Sequence, residues 1–386
     1  MKIAIYYPWI YLKSGVERTI LQMVEDSKND YVVFTNHYDK QATFPEYKNI
    51  KVVQLKYIPI ERDFLSTIKA ALTIVFQQIN LTKFDALIVH SEGFGDLITL
   101  RNKAKVNLCY CHTPLRPVFD DHYKKRSIEK YNLIGKLLYN FLSLFFKKVD
   151  QKIWQKYDYI FLNSNESLGR AVKGGLLDNI PKNKYKILNP GTNKVNFISN
   201  IYKHYFLLPG RIMWTKNIEL AIKSFIKFKS RSSSDKNFKL IIAGYVDKKS
   251  EAYLSKLKEI ASNSKDVYFV INPTDKDLAD LYSKAWAVVS TAFNEDWGIT
   301  LLEANAHGKP TIAINRGGPT ESQLNGVTGY LVKDSTSAVA TALKKISYLN
   351  LETKMMRANS LANSKKYSSK NFRRQLNKVI SELTYS

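Results

Sequence analysis

Short apolar runs alternate with segments of helical period from one end of this sequence to the other. "KIAIYY" (2–7), "DYVVFT" (30–35), "IKVVQL" (50–55), "DALIVH" (85–90), "KVNLCYC" (105–111) and "YDYIFLNS" (157–164) have the length and the β-branched or aromatic content of strands. Between them lie stretches such as "VERTILQMVED", which sets Val16, Ile20, Met23 and Val24 on one side of a helix. This alternation predicts parallel strands covered by helices on both faces. A second series follows in "YFLLPG", "FKLIIAGY", "DVYFVI", "AWAVVSTA", "KPTIAIN" and "TGYLVK". Two α/β units are therefore expected, at 1–190 and 205–366. Turn residues without periodicity join them at 191–204, and 367–386 remains for a basic amphipathic helix. At 386 residues, 45% of them hydrophobic, the chain can fill two cores.

Charge and cysteine usage narrow the classes of function. Lys and Arg number 59 against 34 Asp and Glu, a formal charge of +25 that calls for an anionic partner: nucleic acid, a phosphate-bearing substrate or an anionic lipid surface. Zinc-finger spacing, an RNP-like aromatic motif and a concentrated basic tail are all missing, so no specific nucleic-acid partner is expected. Cys109 and Cys111 stand two apart on an expected strand with no second pair to complete a zinc site, which reads as structural thiols in a reducing compartment. The opening residues alternate as in a strand, so no leader peptide is expected. Its longest uncharged stretches fall short of the roughly 18 residues a membrane-crossing helix needs.

Open α/β sheets bind ligands beyond the carboxyl ends of their strands, and two such sheets facing each other make a deep cleft. The loops after strands are therefore where chemistry is sought. After the first strand, "YLKSGVERT" brings Gly15 to a helix start, where backbone amides can approach a phosphate; the dinucleotide fingerprint G-x-G-x-x-G is absent. In "LLPGRIMWTKN", Arg211 and Lys216 follow a strand and suit a diphosphate, though two solvated surface cations look the same. "CYCHTPLRP" sets His112 at a strand end before a stiff Thr-Pro. In "FNEDWGITLLEA", Glu295 precedes Gly298 and Glu303 is read into the first turn of the next helix; paired carboxylates of this kind suit a polyhydroxyl ligand.

Taken in order, the segments "KSGVERT", "YCHTPLRPVFD", "GRIMWTKN" and "NEDWGITLLEA" resemble the retaining GT-B glycosyltransferases of family 4, the mannosyltransferase-like group that builds bacterial polysaccharides and lipid-linked glycans. Ser14 stands where that family's first loop has a glycine. The resemblance implies a GT-B fold, two Rossmann-like parallel-sheet domains facing each other across a deep cleft. It also implies a nucleotide-sugar donor. Arg211 and Lys216 would hold its diphosphate, with amides of Gly298, Ile299, Thr300 and Leu301 assisting. Glu303 would hold the ribose, Glu295 the sugar hydroxyls, His112 the sugar, and Gly15 would let the first loop close. No cofactor and no metal are expected, Arg211 and Lys216 serving in a metal's place. GDP-mannose is the expected donor, a UDP-hexose or UDP-N-acetylhexosamine the alternative, and a non-catalytic GT-B binding subunit a further one. The acceptor is expected to be a glycan or lipid-linked glycan, as in O-antigen or lipopolysaccharide synthesis. The basic, apolar stretch 123–156, read as one helix, suits an anionic membrane surface or simply its own domain. The enzyme is expected at the cytoplasmic face, peripheral to the membrane. By the same resemblance the last helix would cross back to the first domain.

Overall fold

The computed structural model describes all residues except 62, 130, 193, 194, 196–200, 231–236, 349 and 386, and only the backbone of 248. The apolar runs do become strands. In chain order they are β1 (Lys2–Tyr6), β2 (Trp9–Ile10), β3 (Asp30–Thr35), β4 (His37–Tyr38), β5 (Lys51–Gln54), β6 (Ala86–Ser91), β7 (Val106–Cys111), β8 (Tyr159–Leu162) and β9 (Tyr185–Ile187). A second group comprises β10 (Tyr205–Pro209), β11 (Lys239–Gly244), β12 (Val267–Ile271), β13 (Ala287–Ser290), β14 (Thr311–Ile314) and β15 (Gly329–Val332). Contacts divide the chain into one unit of Met1–Pro190 with Lys370–Ser386 and another of Gly191–Ser369.

The first unit holds a seven-stranded parallel sheet in the order β5-β3-β1-β6-β7-β8-β9, with β2 and β4 paired apart from it. Register places Ile3 beside Tyr31 on one side and Ala86 on the other. The central strands are buried on both faces, Ile3, Ile5, Leu87 and Ile88 all at 0% exposure, as a covered parallel sheet requires. The last helix, Ser369–Tyr385, completes this core with Phe372, Leu376, Val379 and Ile380, a spacing that lines one helix face. Each such side chain withdrawn from water contributes about 1.5–3 kcal/mol before the ordering entropy is counted.

The second unit holds a six-stranded parallel sheet in the order β12-β11-β10-β13-β14-β15. Its core is aromatic on one face: Phe206 stacks on Phe238 at 4.9 Å and meets Phe228 edge-on at 5.6 Å. Of the stretch 191–204 read as a linker, residues 193, 194 and 196–200 lie outside the described residues; Gly191 and Thr192 group with the second unit. There Thr192 N donates to Tyr367 O at 2.7 Å and Ser369 N returns a bond to Thr192 O at 3.1 Å.

One expectation is corrected. Residues 123–156 do not form a single helix but fall in two, Asp121–Glu129 and Leu133–Trp154. The second has its own start, because the Asn132 side chain accepts from Gly135 N at 2.9 Å.

Candidate functional site

In both sheets the strand order reverses beside the first strand, between β1 and β6 and between β10 and β13. The loops leaving the carboxyl ends at such a reversal splay apart, and the gap between them is where open α/β sheets take ligands. In the second unit those loops are 210–217 after β10 and 291–298 after β13. They carry Arg211, Lys216 and Glu295.

Lys216 Nζ and Glu295 Oε2 stand 2.6 Å apart, both side chains about four-fifths buried. The two loops are tied at the backbone as well: Phe293 N donates to Thr215 O at 2.8 Å, and Thr291 Oγ1 reaches Asn217 O at 2.8 Å. Asn217 adopts a left-handed conformation, φ 46°, between a short 3-10 turn at Trp214–Lys216 and the helix Ile218–Lys229. Gly210 turns the chain with φ 118°, and a Cβ built there would lie 3.8 Å from Lys216 Cε and 3.9 Å from Thr300 Cγ2. So Lys216 and Thr300 converge on the same turn. Arg211 follows it, half-buried, with Ile212 N fixed to Tyr245 O at 2.8 Å.

Gly298, φ 79°, opens the helix Ile299–Ala306. A left-handed residue there needs no Cβ, which is why glycine serves. Because the helix starts at Ile299, Glu303 lies in its second turn, not the first. It is held there by Tyr282, whose hydroxyl donates to Glu303 Oε2 at 3.0 Å, while the Tyr282 ring stacks on His307 at 5.4 Å. The amides expected to assist a phosphate are not all open, since Leu301 N already donates to Gly298 O at 3.0 Å. The loop bearing Glu295 is clamped from behind by Gly317 and Gly318. Gly318 N donates to Glu295 O at 2.8 Å, and a Cβ on Gly318 would come within 2.4 Å of Asp296 O and Trp297 Cα. Trp297, 4% exposed, anchors the loop edge-on against Tyr367.

The first unit carries Gly15 and His112. Gly15 begins the helix Gly15–Val24, and Ser14, the departure from the family's glycine, is its N-cap, accepting from Val16 N at 3.3 Å and donating to Glu17. A Cβ on Gly15 would meet nothing within 4 Å, so the fold itself does not demand glycine there.

His112 directly follows β7 and is 6% exposed. Its Nε2 lies 2.9 Å from Nδ1 of His90, whose own Nε2 lies 3.3 Å from Met23 Sδ. A thioether has no proton to give. With the thioether as its neighbour, His90 carries its hydrogen on Nε2 and accepts at Nδ1 from His112 Nε2. Burial, and secondarily the charge of His112, depress the pKa of His90 well below the usual range, which keeps this acceptor neutral. Below the His-Thr-Pro turn, Arg170 donates to Thr113 Oγ1 at 2.5 Å and pairs with Asp120 at 3.3 Å and Glu166 at 3.0 Å.

Sequence reasoning missed Tyr282, His90, Met23 and Arg170. For His90 the signal was present: it ends one expected strand as His112 follows the next, and adjacent parallel strands bring such ends together. Tyr282 and Arg170 lie inside helices with no motif to mark them. Among the described residues no group of three or more His, Cys, Asp or Glu is placed to hold a metal ion, and no helix is long and apolar enough to cross a membrane.

Residues 193–366 match the family model described as glycosyl transferases group 1. The chain is 26% identical to the alpha-1,3/1,6-mannosyltransferase ALG2 of Dictyostelium discoideum, over 99% of this chain and 98% of that protein. It is 25% identical to the ALG2 of Mus musculus, over 96% and 93%. Among solved structures, Anabaena HepE in complex with UDP and glucose superposes with a TM-score of 0.74 at 13% identity, covering 99% of each chain. This likeness speaks for the fold and the relatives for the activity: the chain is a glycosyltransferase built on the GT-B fold, and its residues 193–366 are similar to the glycosyl transferases group 1.

Proposed function

We propose that this enzyme transfers mannose from GDP-mannose to a glycan acceptor carried on a lipid, with retention of anomeric configuration and without a metal. The observation that carries the reading is the convergence of Lys216, Glu295 and the Gly298 helix start at the strand-order reversal of the second sheet, a place suited to a nucleotide sugar. Two relatives named for mannosyl transfer, similar over nearly the whole chain, favour mannose.

As the glycosidic bond to the diphosphate breaks, negative charge grows on the leaving oxygens and the sugar acquires oxocarbenium character. Arg211 and Lys216 are the cations for the first, and they act without reorganisation because the loops are already fixed. Lys216 is paired with Glu295. Binding would exchange that contact: the diphosphate takes Lys216, and Glu295 turns its freed oxygen to sugar hydroxyls. Glu303, aimed by Tyr282, is the ribose acceptor. His112, at the end of β7 and held by His90, is the group of the first unit suited to the sugar. A lipid-borne acceptor places the enzyme at the cytoplasmic face of an anionic membrane.

The test is a thermal-shift screen with GDP-mannose, UDP-glucose and UDP-N-acetylglucosamine, followed by transfer to a lipid-linked acceptor. Stabilisation by GDP-mannose alone supports the reading. Stabilisation by a UDP-sugar alone supports the second reading, a UDP-hexose donor, which the UDP-bound fold neighbour favours.

A further inference from the structure

Tyr282 belongs to the helix Asp275–Lys284, between β12 and β13, and is 3% exposed. It lies along one face of the helix Ile299–Ala306. Its hydroxyl stands 3.3 Å from Thr300 O and 3.0 Å from Glu303 Oε2, while its ring stacks on His307 with centroids 5.4 Å apart and planes only 4° from parallel. Thr300, Glu303 and His307 follow one another at three and four residues, the spacing of a single helix face. The tyrosine is thus gripped at its tip and across its ring by the same helix. Its own helix is fixed in turn, since the hydroxyl of Tyr205 on β10 donates to Leu281 O at 2.7 Å.

A glutamate has three side-chain torsions, and ordering them on binding costs affinity. Tyr282 has one hydroxyl hydrogen, and the nearer, charged acceptor is Glu303; a bond from a hydroxyl to a carboxylate is roughly twice as strong as a neutral one. The carboxylate is therefore aimed before any ligand arrives. His307 is 7% exposed, its Nδ1 buried without a hydrogen-bond partner. Burial, then Lys309 beside it, lower its pKa to about 4, so the ring is neutral and sets no cation against Glu303. It serves here through its flat face, which keeps the Tyr282 ring from turning.

We propose that Tyr282 is a positioning residue that holds Glu303 ready for the ribose hydroxyls of a nucleoside diphosphate, that His307 holds Tyr282, and that the three together set a preference for ribonucleotides. The inference rests on the donor reading, in which Glu303 takes the ribose, and adds what makes that carboxylate discriminating. A carboxylate already fixed loses little freedom when the ribose arrives. A nucleotide without those hydroxyls leaves a half-buried charge without its partner, which a site built for hydrogen bonds penalises. Both residues act through Glu303 and not on the reacting atoms, so donor binding depends on them and the chemical step does not.

The experiment is calorimetric titration of the full chain with GDP, UDP and the 2′,3′-dideoxy form of each. Wild-type protein should prefer the ribonucleotide to its dideoxy counterpart. Tyr282→Phe keeps the stacked ring and removes only the hydroxyl, so ribonucleotide affinity should fall about tenfold while dideoxynucleotide affinity stays, and in transfer KM for the donor should rise with kcat unchanged. His307→Ala should lose part of the same preference, and His307→Phe, which returns a flat ring, should restore it. An unchanged preference in Tyr282→Phe, or a loss that falls equally on both forms of the nucleotide, overturns the proposal; an unchanged preference in His307→Ala overturns the part given to His307. A wild type that binds UDP and not GDP refutes the GDP-mannose reading alone, because the ribose comparison is then made with UDP. One that binds neither nucleotide, or binds both forms alike, overturns the ribose role of Glu303 and this proposal with it.

Discussion

Gly318→Ala tests whether the loop bearing Glu295 must sit where it does. Gly318 has φ −52° and ψ −32°, angles any residue accepts, so the substitution brings no backbone strain. The added methyl would stand 2.4 Å from Asp296 O and from Trp297 Cα, whereas ordinary contact begins near 3.4 Å. One of the two loops must move by about 1 Å, since both obstacles are backbone. That displacement breaks the 2.8 Å bond from Gly318 N to Glu295 O, a cost of about 1 kcal/mol. It also carries Glu295 away from Lys216, and a misplacement of about 1 Å at a reacting centre costs on the order of a hundredfold in rate. Transfer should be measured as kcat and KM, with the unfolding midpoint alongside; kcat is expected to fall roughly a hundredfold and the midpoint by only a few degrees. Gly169→Ala is the control, a helix glycine with nothing within 4 Å of its added carbon, expected to leave transfer unchanged and to stabilise slightly. Full activity in Gly318→Ala with an unchanged midpoint would refute the reasoning that this loop is rigidly clamped for the reaction.

Other expectations bear on the same site and its supports. Glu295→Gln, which keeps shape and removes charge, should lower transfer by about a hundredfold or more while the fold persists, and Lys216→Met should do the same with weaker donor binding; normal kinetics in both would detach this pair from the donor. Nitrogen NMR of the histidine rings should find the hydrogen of neutral His112 on Nε2, and His90→Phe should redistribute it and shift the pH profile of transfer; a neutral His112 protonated at Nδ1 in the wild type contradicts donation from His112 to His90. Lys309 is wholly buried with its ammonium over the Tyr202 ring at 3.7 Å, and burial, then Arg357, lower its pKa to about 7. The unfolded chain thus holds more protons than the folded one between about pH 7 and 10.5, so stability from this group rises with pH through that window. Lys309→Met should accordingly raise the unfolding midpoint, more at pH 6 than at pH 10, and an equal gain at both would show that the charge is not the cause.

The architecture was largely legible because a parallel sheet covered on both faces writes itself as apolar runs, and "KIAIYY" or "DYVVFT" have few other ways to be buried. β9 escaped because Tyr185–Ile187 is three residues at a sheet edge among lysines, half-buried and without a run to announce it. The candidate residues were nameable from their loops. Their arrangement was not: 79 positions separate Lys216 from Glu295, and only the reversal of strand order brings β10 beside β13. Which way the helix Leu133–Trp154 faces stayed open in the sequence. Periodicity gives a helix an apolar side but not the direction in which that side points.

The second unit is, by connectivity, a guest within the first. The chain enters it at Gly191 and leaves it at Ser369, two residues so near that a Cβ on Gly191 would touch Ser369 N at 2.6 Å. Phe372, Leu376, Val379 and Ile380, which finish the host's interior, are therefore translated only after the whole guest. During synthesis the host must wait, its hydrophobic seam unsealed, and a nascent chain halted before residue 370 should leave the guest able to fold while the host stays open to chaperones and proteases.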